Sequence, residues 1–185
     1  MAIKIGIIPI GQVDAGVLHQ IKEKLPRVFP DTTCLVLDER LPIPEKAFDK
    51  TRRQHRSDVI LGKIQSYGAA RKDLNRVLGV VDADIFVSEL NFVFGEATCP
   101  GKAALISLWR LKPEFYRDKA ETELFEVRAL KEAIHELGHT LGLRHCHHSS
   151  CVMYFSNSIF DTDKKHCSFC DQCNLQAALG INNVG

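Results

Sequence analysis

Apolar and polar positions follow two rhythms along this chain. Residues 3–10 (Ile-Lys-Ile-Gly-Ile-Ile-Pro-Ile) are almost continuously apolar, which fits a buried strand. Residues 13–25 fit a helix, and 33–38 (Thr-Cys-Leu-Val-Leu-Asp) fit a second strand. A helix is expected over 57–77, broken near Gly68, and a third strand over 83–88. Strands near 92–98 and 103–109 flank Cys99-Pro100-Gly101-Lys102, turn chemistry that predicts a hairpin. The rhythm then lengthens. Leu124, Val127, Leu130, Ile134, Leu137 and Leu141 recur at steps of three and four, so a long amphipathic helix is expected from about Lys119 to Leu141. Alternating strands and helices imply an α/β fold around a twisted, mixed but mostly parallel sheet. The hairpin adds one antiparallel strand at its edge.

Composition adds constraints more than identity. The 185 residues are 45% hydrophobic and 25% charged, which suits a single domain with one core. A formal net charge of +1 gives no global pull toward nucleic acid or a membrane surface, and no apolar run approaches transmembrane length. The first nine residues lack the charged and long apolar regions of a secretory signal, so a cytoplasmic location is expected. The basic run Lys50-Thr51-Arg52-Arg53-Gln54-His55-Arg56 reads as a solvated loop, with a contact to an acidic substrate group as the sharper alternative.

The chemistry concentrates in His135-Glu136-Leu137-Gly138-His139-Thr140-Leu141-Gly142-Leu143-Arg144-His145, an H-E-x-x-H-x-x-G-x-x-H run. His135 and His139 are four apart, so on a helix their imidazoles stack and can reach one ion. At about 100° per residue they fall opposite the apolar stripe, so one helix face should meet a core and the other a cleft. Glu136 is one step round the helix, placed to take a proton from an activated water without ligating the metal. Gly142 can end the helix in a left-handed conformation, and the reversed chain can bring in His145 as third ligand. Three protein ligands leave a position open, which is the arrangement of a catalytic zinc.

Five of the seven cysteines lie between positions 146 and 173. Closely spaced thiolates in a chain without a secretory signal favour a tetrahedral structural zinc over disulfides. The first choice of ligands is Cys146, Cys151, Cys170 and Cys173, with Cys167 as competitor and His147, His148 and His166 as weaker ones. Cys34 and Cys99 read as small core residues.

The combined pattern resembles the archaemetzincins, a branch of the metzincin clan of zinc metallopeptidases. The resemblance rests on His135 to His145, on Cys146, Cys151 and Met153 in C-x4-C-x-M, and on Cys170 with Cys173 in C-x2-C. Asn91-Phe92-Val93-Phe94-Gly95-Glu96-Ala97 and Ser107-Leu108-Trp109-Arg110-Leu111 also look like family segments. The resemblance implies a compact single-domain metzincin-like fold with two zinc ions, one catalytic and one structural. Residues 1–142 would form an N-terminal subdomain carrying the active-site helix, and 143–185 a zinc-stapled, Cys-rich C-terminal subdomain. It implies His135, His139 and His145 as catalytic ligands, Glu136 as general base and Met153 as the turn beneath the site. Where some metzincins carry a tyrosine after that methionine, this chain has Phe155. By the same analogy, 92–98 borders the cleft and could pair with an extended peptide. Peptides or unfolded polypeptides are the expected substrates, with no nucleic-acid or membrane partner. Glu96 and Glu132 are candidate anchors for a substrate amine. A zinc-bearing binding protein with gated or little proteolytic activity is the alternative.

Overall fold

The computed structural model describes residues 3–182. The chain runs through β1 (Ile3–Ile10), α1 (Ala15–Lys24), β2 (Thr32–Val36), β3 (Phe48–Asp49), β4 (Gln54–Arg56), α2 (Ser57–Ala70), β5 (Arg76–Val81), β6 (Ile85–Phe86), β7 (Gly95–Ala97), β8 (Ala103–Ser107), α3 (Thr122–Thr140), α4 (Ile159–Lys164) and α5 (Asp171–Asn182). The main sheet has the order β2-β1-β5-β8-β7. Its pairs β1–β2, β1–β5 and β5–β8 are parallel, and β7 pairs antiparallel with β8 at the edge, as the hairpin chemistry predicts. A small second sheet, β3-β4-β6, was not anticipated.

Strand pleating divides the core in two. Ile3, Ile5, Ile7, Leu78, Val80, Ala104 and Ile106 face one side, where Val17, Leu18 and Ile21 of α1 and Ala129, Leu130, Ala133, Ile134 and Leu137 of α3 cover them. Ile8, Ile10, Val77, Val81, Ala103 and Leu105 face the other, against Ile60, Leu61 and Ile64 of α2. Each fully buried aliphatic side chain contributes about 1.5–3 kcal/mol, so two covered faces clamp the parallel strands.

Two sequence expectations need correction. Helix α2 stops at Ala70, short of 77, and the third strand of the main sheet is Arg76–Val81 rather than 83–88, where only Ile85–Phe86 pairs, in the small sheet. Val77-Leu78-Gly79-Val80-Val81 is central and covered on both faces, so it shows no alternation and its spacing passes for helix. Its β-branched content was the overlooked signal.

The second correction concerns α3. Its predicted cleft face does not lie open: every residue from Arg128 to Gly138 is buried. Chain beyond His145 packs on the polar face and satisfies it. Arg128 forms a two-pronged pair with Asp163 (2.7 Å for each nitrogen) and donates to the Leu111 carbonyl. The Lys131 ammonium donates to the carbonyls of Thr162 and Asp163. Glu132 accepts from Thr162 Oγ1 at 3.1 Å and from Lys165 Nζ at 3.2 Å, and the Lys165 side chain has no exposed surface. Buried charges require such partners.

Candidate metal centre

The C-terminus of α3 is fixed before any ligand is placed. Thr140 receives Arg76 Nε at its hydroxyl (3.0 Å), and its carbonyl receives the Gly101 N–H (3.1 Å). Gly142 has φ +92°, a left-handed conformation that glycine adopts without penalty. Its N–H donates to His139 O at 2.9 Å, and the Leu143 N–H donates to Gly138 O at 3.2 Å. These two bonds are a Schellman closure, which turns the chain back toward the helix with Leu143 buried. His145 arrives from that turn.

The three imidazoles then converge. Ring centroids of His135, His139 and His145 lie 4.7, 4.9 and 5.3 Å apart in pairs. His135 Nδ1 donates to the Val152 carbonyl (2.8 Å) and His139 Nδ1 to the Leu143 carbonyl (2.7 Å). A carbonyl only accepts, so both protons sit on Nδ1 and both Nε2 atoms carry lone pairs. Those two Nε2 atoms face each other at 3.1 Å. Two lone pairs at that distance repel unless a cation lies between them. Zinc–nitrogen bonds of about 2.0–2.1 Å at tetrahedral angles place nitrogens roughly 3.3 Å apart, so the donor set fits zinc. Burial also holds His135 and His139 below the usual imidazole range, and partial desolvation beside the neighbouring rings, with His139 adding to it, brings the more exposed His145 down to about 4, keeping the rings neutral and able to ligate. The exposed His145 ring is backed by Phe155, with centroids 4.8 Å apart.

Two glycines set the close approaches around the ligands. A Cβ on Gly138 would come within 2.5 Å of Met153 Sδ, so glycine between the two helix histidines lets the sulfur lie against the helix backbone. A Cβ on Gly95 would lie 2.6 Å from Glu136 Oε1, so the absent side chain makes room for this carboxylate beside edge strand β7. Burial pushes the Glu136 carboxyl well above its ordinary range, with Glu132 adding to the rise.

Cys146, Cys151, Cys170 and Cys173 form a second cluster, their sulfurs all within 4.8 Å of one another. Cys146 Sγ and Cys170 Sγ are 3.8 Å apart. That is far beyond a disulfide bond, and it matches the roughly 3.8 Å that zinc–sulfur bonds of about 2.3 Å give at tetrahedral angles. The N–H groups of His148 and Cys170 donate to the sulfurs of Cys146 and Cys151, as thiolates invite. Cys167 is outside the cluster.

Other candidates are not at the metal. Glu132 is committed to Lys165. Glu96 alternates with Gly95 on β7 and so points to the opposite face, toward Ser57 and Asp58, where burial raises its carboxyl above the usual range. Neither carboxylate is placed as an amine anchor. Arg52 of the basic run stacks on Phe86 at 4.1 Å, and Arg56 pairs with Asp58. Cys34 is buried as expected, whereas Cys99 is exposed in the hairpin turn. Sequence reasoning missed Gly95, Gly138 and Lys165, and the orienting carbonyls of Leu143 and Val152. Carbonyls have no sequence signature. The glycines were visible, but their purpose depends on what approaches them.

The sequence model for peptidase family M54 matches residues 12–178. The archaemetzincin of Methanocaldococcus jannaschii is 45% identical over 173 residues, covering 94% of this chain and 92% of that protein. The crystal structure of the archaemetzincin from Methanopyrus kandleri superposes with a TM-score of 0.84 at 30% identity, covering 98% of this chain and 96% of that one. That of the archaemetzincin from Archaeoglobus fulgidus, complexed with malonate, gives 0.79 at 36% identity, covering 94% and 99%. Converging neutral imidazoles, a tetrathiolate cluster and these likenesses agree: the chain belongs to peptidase family M54, the archaemetzincins, and is a zinc metallopeptidase with its zinc site at His135, His139 and His145.

Proposed function

We propose that Glu136 is the general base and proton carrier of peptide-bond hydrolysis at this site. The observation that carries this is its placement: Glu136 follows His135 on α3 and its carboxylate abuts β7 at Gly95, with no side-chain hydrogen-bond partner among the described residues. Nε2 of His135, Nε2 of His139 and the His145 ring would hold zinc, which when bound would supply Lewis acidity for hydrolysis of a peptide bond. Glu136 takes the water proton on a carboxylate oxygen and delivers it to the leaving amine nitrogen. Burial of its carboxyl suits holding that proton between the two transfers. Met153 acts as the floor of the site, its sulfur packed under the histidine pair at Gly138.

Strand β7 offers a free edge beside this base, and an extended peptide main chain adds to it as a further strand. Peptides and unfolded segments are therefore the substrates in this reading. Residues 1–142 act as the scaffold carrying α3, and 143–185 as a metal-stapled cap. The clustered free thiols suit a reducing, cytoplasmic compartment. No described helix is long and apolar enough to cross a membrane.

Glu136→Ala is the test. It should keep both zinc ions by elemental analysis and lose turnover on a peptide library by about 10²–10⁴-fold. Wild-type turnover in that variant would remove Glu136 from the mechanism.

A further inference from the structure

The two metal sites share one stretch of backbone. His145 is bonded directly to Cys146. Cys151 is followed by Val152, whose carbonyl orients His135, and by Met153, whose sulfur fills the space over Gly138. The loop closes on itself through the Cys146 N–H, which donates to Met153 O at 2.9 Å, and the Tyr154 N–H, which donates to Cys151 O at 2.9 Å. Between the two cysteines, His147, His148, Ser149 and Ser150 are all exposed. The third imidazole, the acceptor for the first, and the methionine floor thus all depend on a loop whose ends are both sulfur ligands.

The loop is tied to the rest of the fold mainly through the segment around Cys170. The Val152 N–H donates to Ser168 O at 3.0 Å, and the His166 N–H donates to Ser150 O at 2.8 Å. Cys170 faces Cys146 sulfur to sulfur, and its N–H reaches Cys151 Sγ at 3.3 Å. Cys173, on the first turn of α5, completes the cluster. In contrast, His135 and His139 ride on α3, which the sheet and Arg76 hold from the other side. The histidine pair is anchored by the sheet; Val152 and Met153 also pack into that core, but the backbone of their loop is clasped at Cys146 and Cys151 by the thiols.

We propose that the tetrathiolate site shapes the histidine site, making Cys146, Cys151, Cys170 and Cys173 positioning residues for the peptidase, so that zinc at the thiolates prepares the histidines for theirs. This rests on the zinc-site reading above. Without a metal to gather the sulfurs, the 146–151 loop loses its clasp, and His145, Val152 O and Met153 lose their register against α3. Linkage makes the coupling mutual: each zinc strengthens the other by the same factor. The loading order follows from the greater affinity expected of four thiolates, which bind as the loop folds.

The experiment is a zinc competition titration, with a chelator of known affinity, on wild type and Cys170→Ser/Cys173→Ser. Neither substituted side chain hydrogen-bonds to His135, His139 or His145 or to the carbonyls of Val152 and Leu143, and serine keeps nearly the volume of cysteine, so the substitutions remove the thiolate metal while leaving the packing close to native. Loss of orienting groups around a metal typically costs 10–100-fold in affinity, and that weakening is expected at the histidine site. Wild-type zinc affinity there, with the thiolate site empty, would overturn the proposal. Should the double variant fail to fold, hydrogen exchange on His139→Ala decides. One equivalent of zinc, seated at the thiolates, should slow exchange of the Cys146 and Tyr154 amides relative to the metal-free variant. Equal protection with and without zinc would overturn the coupling. Wild-type protein that binds no zinc at either cluster would refute the zinc reading itself.

Discussion

Replacing Lys165 by methionine should be among the most damaging single changes outside the ligands. Its ammonium is wholly buried, 3.2 Å from Glu132 Oε1, and the Glu132 side chain is only 3% exposed. Methionine fills similar space, so the change removes a charge and little volume. It leaves a buried carboxylate with the Thr162 hydroxyl as its remaining hydrogen-bond donor. Breaking one side of a buried pair costs about 3–5 kcal/mol, because the surviving charge stays desolvated. For a domain of this size each kcal/mol moves the melting temperature by about 2–4 °C, so a drop of roughly 6–20 °C is expected. The assay is thermal unfolding of zinc-loaded protein, with Glu132→Met and Glu132→Met/Lys165→Met completing a double-mutant cycle. The double variant should recover most of the loss, since an apolar pair of similar volume carries no stranded charge. A Lys165→Met variant within ~1 kcal/mol of wild type would refute the claim that this pair is desolvated. So would a double variant no more stable than Lys165→Met alone.

Other outcomes follow from the close approaches and the buried rings. Gly138→Ala places a methyl 2.5 Å from Met153 Sδ and 3.3 Å from Phe169, so it should cost about 1–3 kcal/mol in denaturant unfolding and weaken zinc binding at the histidines. Gly95→Ala crowds Glu136 and the Leu105 carbonyl from a strand that supplies no metal ligand. It should lower kcat while zinc content by elemental analysis stays unchanged, and loss of the histidine zinc would count against this account. The histidines' folded-state pKa values lie below the ordinary 6.5, that of His145 at about 4. Between those values the unfolded chain binds more protons than the folded one, so stability rises with pH. The chelator-treated protein should therefore melt at progressively lower temperature as pH falls from about 6.5 toward 4, and a flat profile would contradict the buried neutral rings.

How much of this was legible depended on whether a residue's role is local. His135, His139, Gly142 and the cysteine spacings could be read because helix periodicity and a left-handed turn place them whatever surrounds them. The hairpin at Cys99–Lys102 was legible for the same reason. Strand β5 was not, because a strand covered on both faces loses its period of two. Arg128 and Lys131 carry no motif, and Glu132 was a candidate amine anchor on a face expected to meet a cleft, since charged side chains are seldom fully buried. Only the later placement of α4 and Lys165 against them makes them interior. Gly95 and Gly138 carried no visible purpose until Glu136 and Met153 closed on them.

The position of Cys170 and Cys173 at the start of α5 also acts in time. A ribosome delivers the histidine triad before these thiols, and the 28 residues from Cys146 to Cys173 take roughly 1–6 s to add at about 5–20 residues per second. Through that interval the growing chain holds all three imidazoles and Glu136 but lacks the clasp for the His145 loop. If the clasp orders the histidine site as proposed, the peptidase becomes competent only once the last thiol is in place, after the unfolded polypeptide nearest to it, its own chain, is nearly complete.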